Sequence, residues 1–403
     1  MNSEKVSRKE VLPGFIAIIT LAVIVYIAME LSAEKIADNQ FIYSFGDLIG
    51  RNIEGGPMGG FLWFLTDLTE GCFTVSVLGT VFMCIVVPFT AILERKKSPM
   101  AGTGVDGNGR NFSAMFIAAF VSILLSQIIY GRGEWFEKYG FIPTFSALLV
   151  SQTMITCYGK SLKKVITSII IGAVVPFPIC FMLMAYVTIP LGLPGFISVS
   201  LGLIITIPIV HKIVMLLPWM KEKENIPEAV SETDDVSAPY KPNSFFIHRV
   251  FGDVGELVIW GSSWSIIAMY IGSIITWILN PNHPVYGANN LSTLIFCQIC
   301  TGALSVFIYY PSWKKDGWAF TFPGIVFISA IVNTYINSWL VIIPSMLIGA
   351  IVFPPLVQRI LKVFKYDGSY PAIGLIHLSV FRGRLLSFIS LRRCFKNNKI
   401  QYL

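Results

Sequence analysis

What this 403-residue sequence most lacks is charge: Asp, Glu, Lys and Arg make up 13% of it. A soluble chain of this size carries charge on roughly a quarter of its residues. The deficit excludes an ordinary water-soluble globule. The chain also lacks the groupings needed for most metal and covalent chemistry. Its 4 histidines are scattered: His211 and His377 stand alone in apolar surroundings, and His248 and His283 lie at loop edges. There is no HExxH, no Ser-His-Asp order and no paired Cys/His cluster. Cys297-Gln-Ile-Cys300 has a metal-like spacing but no second ligand pair, so it reads as small packing residues in a helix. Gly102-x-Gly104-x-x-Gly107 formally matches a dinucleotide fingerprint, yet no strand precedes it, and it reads as a connector. No ATP-binding motif supports a primary pump. No metal or organic cofactor and no enzymatic activity are expected.

What is there is hydrophobic: 54% of the residues, with a mean hydropathy of +0.69. These residues fall in runs of about twenty, the length that crosses a bilayer. The pattern predicts an all-α polytopic membrane protein with ten spans. They are 11–32, 71–93, 112–130, 141–158, 165–186, 195–217, 254–279, 291–310, 318–336 and 339–357, and a re-entrant or interfacial segment follows at 371–380. The first run is too long for a signal-peptide core and is taken as a true span. Residues 221–249, rich in Glu, Asp, Ser and Pro, read as a cytoplasmic linker between two halves, 58–220 and 250–380. Residues 1–57 supply the first helix and an outer loop, and 381–403 a basic tail.

The net charge of +7 does not point to nucleic acid, because the basic residues sit at span ends. Alternating the spans from a cytoplasmic N-terminus puts 26 of 30 Lys and Arg inside, leaving only Lys35, Arg51, Arg132 and Lys138 outside. The positive-inside rule therefore places both termini in the cytoplasm of a cell (inner or plasma) membrane. The tail's bases could attract anionic lipid, or simply carry the same topological signal.

An internal repeat underlies the two halves. Laid over 321–355 at an offset of 177, residues 144–178 match at 10 of 35 positions, including Thr144/Thr321, Phe145/Phe322, Gly172/Gly349, Ala173/Ala350 and Pro178/Pro355. Upstream, Ile129-Tyr130 aligns with Ile308-Tyr309, Asp67-x-x-Glu70 with Asp253-x-x-Glu256, and Ile92-Leu93 with Ile278-Leu279. Five crossings separate the second span from its seventh-span partner, so the halves are expected to be inverted.

Gly172-Ala173…Pro176 and Gly349-Ala350…Pro354 interrupt apolar runs. Proline removes a helical donor and clashes one turn back, so both sites are expected to break a helix beside the binding site. Half-helix N-termini there would favour an anionic or carboxylate-bearing solute, and unwound carbonyls could hold Na⁺. Gln152 and Thr156 before the first break, and Asn333 and Asn337 before the second, are the polar candidates for substrate or ion contact; helix packing is the plainer role for each. Asn333 is the strongest, because a buried unpaired amide is costly. Asp67, Glu70, Asp253 and Glu256 are candidates for coupling or gating, although Asp-x-x-Glu before an apolar run also resembles a helix cap placed at the membrane boundary.

Together these features predict a secondary active transporter of a small solute by alternating access, coupled to Na⁺ or H⁺. Its partners would be that solute and membrane lipid, with no nucleic acid; a homodimer is left open. The alternative is an integral-membrane polymerase or transferase acting on lipid-linked glycans. Such enzymes use a sizeable outer loop with catalytic bases, and the longest one here, 33–66, holds only Lys35 and Arg51.

Overall fold

A computed structural model describes residues 8–96, 98, 112–131, 138, 143–193, 195–221, 241–256, 262–316 and 319–363. All regular elements among them are helical. The longer ones, in chain order, are α1 (Leu12–Ile36), α2 (Phe45–Ile53), α3 (Pro57–Glu70), α4 (Val77–Arg95), α5 (Phe112–Tyr130), α6 (Ser146–Tyr158), α7 (Leu162–Val174), α8 (Pro176–Leu183) and α9 (Phe196–Leu216). After the linker come α10 (Pro242–Gly255), α11 (Ser263–Leu279), α12 (Leu291–Asp316), α13 (Pro323–Thr334) and α14 (Trp339–Val363). Six of the described helical stretches are long and apolar enough to cross a bilayer, and shorter apolar helices accompany them at 77–93, 263–279 and 323–334. Many large side chains face outward, Ile128 and Leu340 at 68% and 88% exposure, as an all-round apolar protein in lipid requires. The tail, residues 371–380 and most of the linker lie outside the described residues.

Helix starts differ from those expected. The helix expected from Gly71 begins at Val77, because Phe73 adopts a left-handed conformation (φ 62°) and ends any continuous helix. Ser76 then accepts from the Gly79 amide at 2.9 Å and so caps α4. The helix expected from Val254 likewise gives way to one starting at Ser263, where Ser262 accepts from the Ser265 amide. The outer loop also contains a helix, α2, closed by a reciprocal capping box between Ser44 and Asp47.

The two prolyl interruptions are not unwound segments. α14 runs unbroken through Pro344, Pro354 and Pro355. In the first half, α7 passes into α8 across Val175, which keeps right-handed helical angles and donates to the Ile171 carbonyl, while Pro176 takes the first position of α8. A proline leaves the carbonyl four residues earlier without its amide partner. For Pro178 and Pro355 those carbonyls are Val174 and Ile351. Tyr130 donates its hydroxyl to the first at 3.1 Å, and Tyr309 to the second at 2.5 Å. These two bonds satisfy backbone that hydrocarbon would leave stranded.

Helix packing repeats across the halves. In the first, α5, α6 and α7 pack mutually; in the second, α12, α13 and α14 do. Gly172 lies against Ala147 and Ser151 of α6, and Gly349 against Gly324 of α13. A Cβ on Gly324 would stand 2.3 Å from the Gly349 oxygen, so this crossing admits only glycine. α4 and α11 form the main seam between the halves. Ser76 pairs with Thr276 at 2.9 Å and Ser262 with Thr90 at 3.0 Å, which makes these helices antiparallel. The extra helix α1 packs on α12 and α10 through Phe15, whose ring meets Phe307 and Phe246.

Candidate binding cavity at the junction of the two halves

Asp67 and Glu70 do not cap the start of a helix. They close the C-terminal end of α3, at 1% and 4% exposure. A helix C-terminus repels negative charge, so these acids rely on side-chain donors. Gln127 of α5 donates to Asp67 Oδ2 at 2.9 Å, and Thr144 donates to the same oxygen at 2.5 Å. Asp67 also contacts Glu70, and the Tyr286 hydroxyl donates to Glu70. Asp67 Oδ1 and Glu70 Oε2 are buried with no hydrogen-bond partner.

Glu70 opens on a cavity of about 340 Å³. The first half contributes Glu70, Gly71, Phe73, Phe145, Gly195, Phe196 and Val199 to its walls; the second contributes Tyr286, Ala330, Asn333 and Thr334. The Phe73 and Phe196 rings are 4.9 Å apart. Both amide atoms of Asn333 are buried without a partner, the condition a polar ligand would relieve. Phe73 and Tyr286 reach the cavity from left-handed backbone, φ 62° and 49°. Such strain persists only where surrounding structure holds it. Here the Cys72 carbonyl is held by Gln298 Nε2 at 2.9 Å, and Gln298 in turn by Ser329 and Tyr270. Val75 donates to the Pro284 carbonyl, linking the two strained turns.

The second half repeats the acid pair with a different outcome. Arg249 donates to Asp253 Oδ1 from Nε at 2.7 Å and from Nη2, and Nη2 also reaches Glu256. The guanidinium lies over the Trp313 ring, 4.6 Å from its centroid. Thr321, the repeat partner of Thr144, faces Asp253 as Thr144 faces Asp67, though outside strict hydrogen-bond geometry. The position equivalent to Arg249 in the first half, at the same offset of 186 that relates the two acid pairs, is Trp63.

Of the residues singled out from sequence, Glu70 and Asn333 meet at the cavity, and Asp67 stands behind Glu70. Gly172, Ala173, Pro176, Gly349, Ala350 and Pro354 do not line it. Gly172 and Gly349 sit in helix crossings, and Ala173, Ala350, Pro176 and Pro354 are buried beside them in the same helices or, for Pro176, at the start of α8. Gln152 is buried on α6, and Thr156 donates to its carbonyl and touches Met115; neither lines the cavity. Asn337 is an exposed left-handed turn residue between α13 and α14. The aromatic walls, Gln127, Thr144, Tyr286 and Arg249 were not anticipated as site residues. Arg249 carried a signal, since Arg-x-x-x-Asp pairs face one another on a helix. Comparison with known protein families, curated proteins and solved structures finds no match for this chain.

Proposed function

We propose that the chain is a secondary active transporter that works by alternating access, with ten spans arranged as two inverted halves. The observation carrying this reading is the unequal treatment of one motif in two places. The first acid pair opens on a cavity walled by both halves, and its repeat partner is closed over by Arg249. Arg249 has Trp63 as its counterpart, so one acid pair alone is left to face a cavity between the halves, where a carrier places its central site. The antiparallel α4–α11 seam supports inversion. Its Ser76–Thr276 bond, moved by the offset of 186, becomes Ser262–Thr90.

The geometry shifts the substrate reading. An anionic solute was expected from half-helix N-termini at the prolyl sites, but α14 is continuous and α7 joins α8 without unwinding. The cavity lining holds a carboxylate, and no Lys, Arg or His is among its described residues. The proposal therefore drops the anion and assigns coupling, by H⁺ or Na⁺, to Asp67 and Glu70.

Uptake into proteoliposomes from a panel of amines, amino acids, sugars and organic acids, with and without Na⁺ and pH gradients, tests it. Gradient-driven accumulation that Asn333→Ala reduces at least tenfold is expected. Wild-type vesicles that accumulate nothing under either gradient would sink the transport reading in favour of the glycan-processing one.

A further inference from the structure

We propose that the cavity binds an organic cation, a protonated amine or guanidinium group carrying a small apolar body. The second half holds an internal template for this. There, two acids one helical turn apart, Asp253 and Glu256, take a guanidinium that also lies on an aromatic ring, Trp313. The first half repeats the acids and offers aromatic surface, yet the position of the guanidinium is Trp63, and no cationic side chain lines the cavity among the described residues. What Arg249 supplies from within the chain in one half is left in the other to a proton, a metal ion or an organic cation, and the aromatic walls favour the last.

The details fit a cation better than a neutral or anionic guest. Glu70 is 4% exposed and keeps one oxygen, Oε2, without a partner while lining the cavity. A buried carboxylate oxygen left bare is costly unless a donor or a cation meets it. Asp67 behind it is held by two neutral donors, Gln127 and Thr144, which orient the acid without neutralising it. Phe73, Phe145, Phe196 and Tyr286 give the walls π surface, which attracts cations and rejects anions. Asn333 adds an acceptor that an ammonium N–H can use. A volume of about 340 Å³ admits a body of a single ring or a short chain.

As a statement of what the carrier moves, this rests on the transport reading; as a binding site it does not. The test is therefore equilibrium binding to the purified full-length chain in detergent. Benzylammonium, methylguanidinium, benzyl alcohol and benzoate serve as probes, read by calorimetry and by shift in melting temperature. Benzylammonium should saturate at least tenfold more tightly than benzyl alcohol, and benzoate should not bind. Glu70→Gln should lose that discrimination, and Asn333→Asp, which adds a second carboxylate to the wall, should tighten benzylammonium severalfold. Equal binding of alcohol and ammonium, or preference for benzoate, would overturn the proposal. So would unchanged affinity in a folded Glu70→Gln, or no tightening in Asn333→Asp should Glu70→Gln not fold. Uptake of an anionic or neutral solute without ammonium binding would leave transport standing and remove only this inference. Ammonium binding without uptake of any solute would do the reverse.

Discussion

The Tyr309 hydroxyl donates at 2.5 Å to the carbonyl of Ile351, the group that Pro355 deprives of an amide. Tyr130 does the same for Val174, four residues before Pro178. If this bond is what keeps α14 continuous, Tyr309→Phe leaves a carbonyl stranded and costs about 1–3 kcal/mol. In a Pro355→Ala background the amide returns, and the same Tyr→Phe change should cost far less. Thermal unfolding of the two singles and the double in detergent measures the coupling; equal costs in both backgrounds would refute it.

Gly324 and Gly50 provide a matched pair of glycine tests. A Cβ on Gly324 meets the Gly349 oxygen at 2.3 Å, whereas one on Gly50 in α2 meets nothing within 4 Å. Gly324→Ala should destabilise by about 1–3 kcal/mol through forced separation of α13 and α14. Gly50→Ala should be neutral or stabilising by up to about 1 kcal/mol, since alanine is the better helix former. Melting temperatures moving in the same direction would contradict the packing described.

Arg249→Met should be severe. It strands the Asp253 carboxylate, which is fully buried, and breaking one member of a buried pair costs about 3–5 kcal/mol. Adding Asp253→Asn removes the stranded charge and should recover much of the loss. Glu256→Gln should recover less, because its side chain is one-third exposed at 33%. A double Arg249→Met/Asp253→Asn chain no more stable than the single would show that the pair is incidental.

The segment 39–45 is strapped onto 278–283 by a set of main-chain and side-chain bonds, one of them between His283 Nδ1 and the Tyr43 carbonyl at 2.6 Å. Burial holds the His283 imidazole below its ordinary value, with the Tyr43 and Val75 carbonyls pulling the other way. An unfolded imidazole titrates near pH 6.5, above the folded one, so on acidification the open state takes up the proton first. The strap's stability is therefore fully present above about pH 6.5 and falls as pH drops below it. Hydrogen exchange at residues 41–45, corrected for intrinsic rates, should show easier opening in mild acid. His283→Asn should flatten that dependence, and an opening free energy independent of pH would exclude the role.

The parts of the fold legible in sequence were those with a chemical necessity behind them. Residues matched between the halves, Tyr130/Tyr309, Thr144/Thr321, Gly172/Gly349 and Pro178/Pro355, each prove to share a contact as well as an identity. Asn333 was legible because an amide in an apolar run needs a partner. The prolines misled because their effect depends on a distant tyrosine, which no local pattern reveals. Asp67-x-x-Glu70 resembles a helix start because an apolar run follows it; Phe73 turning left-handed and Ser76 capping the next helix put the acids at the end of α3 instead. The aromatic walls were hidden by abundance, as 30 Phe in one chain leave no single ring conspicuous.

Midway between the two hydrogen bonds of the α4–α11 seam fall Met83 and Met269, themselves related by the offset of 186 and both fully buried. A contact pinned identically at its two ends, with soft thioethers at its centre, is built like an axle. Sliding one helix along the other would break both hydroxyl pairs at once, whereas rotation about the midpoint strains them equally and by less. In the carrier proposed above, rocking of one half against the other would pivot on this seam, with Met83 and Met269 at its centre.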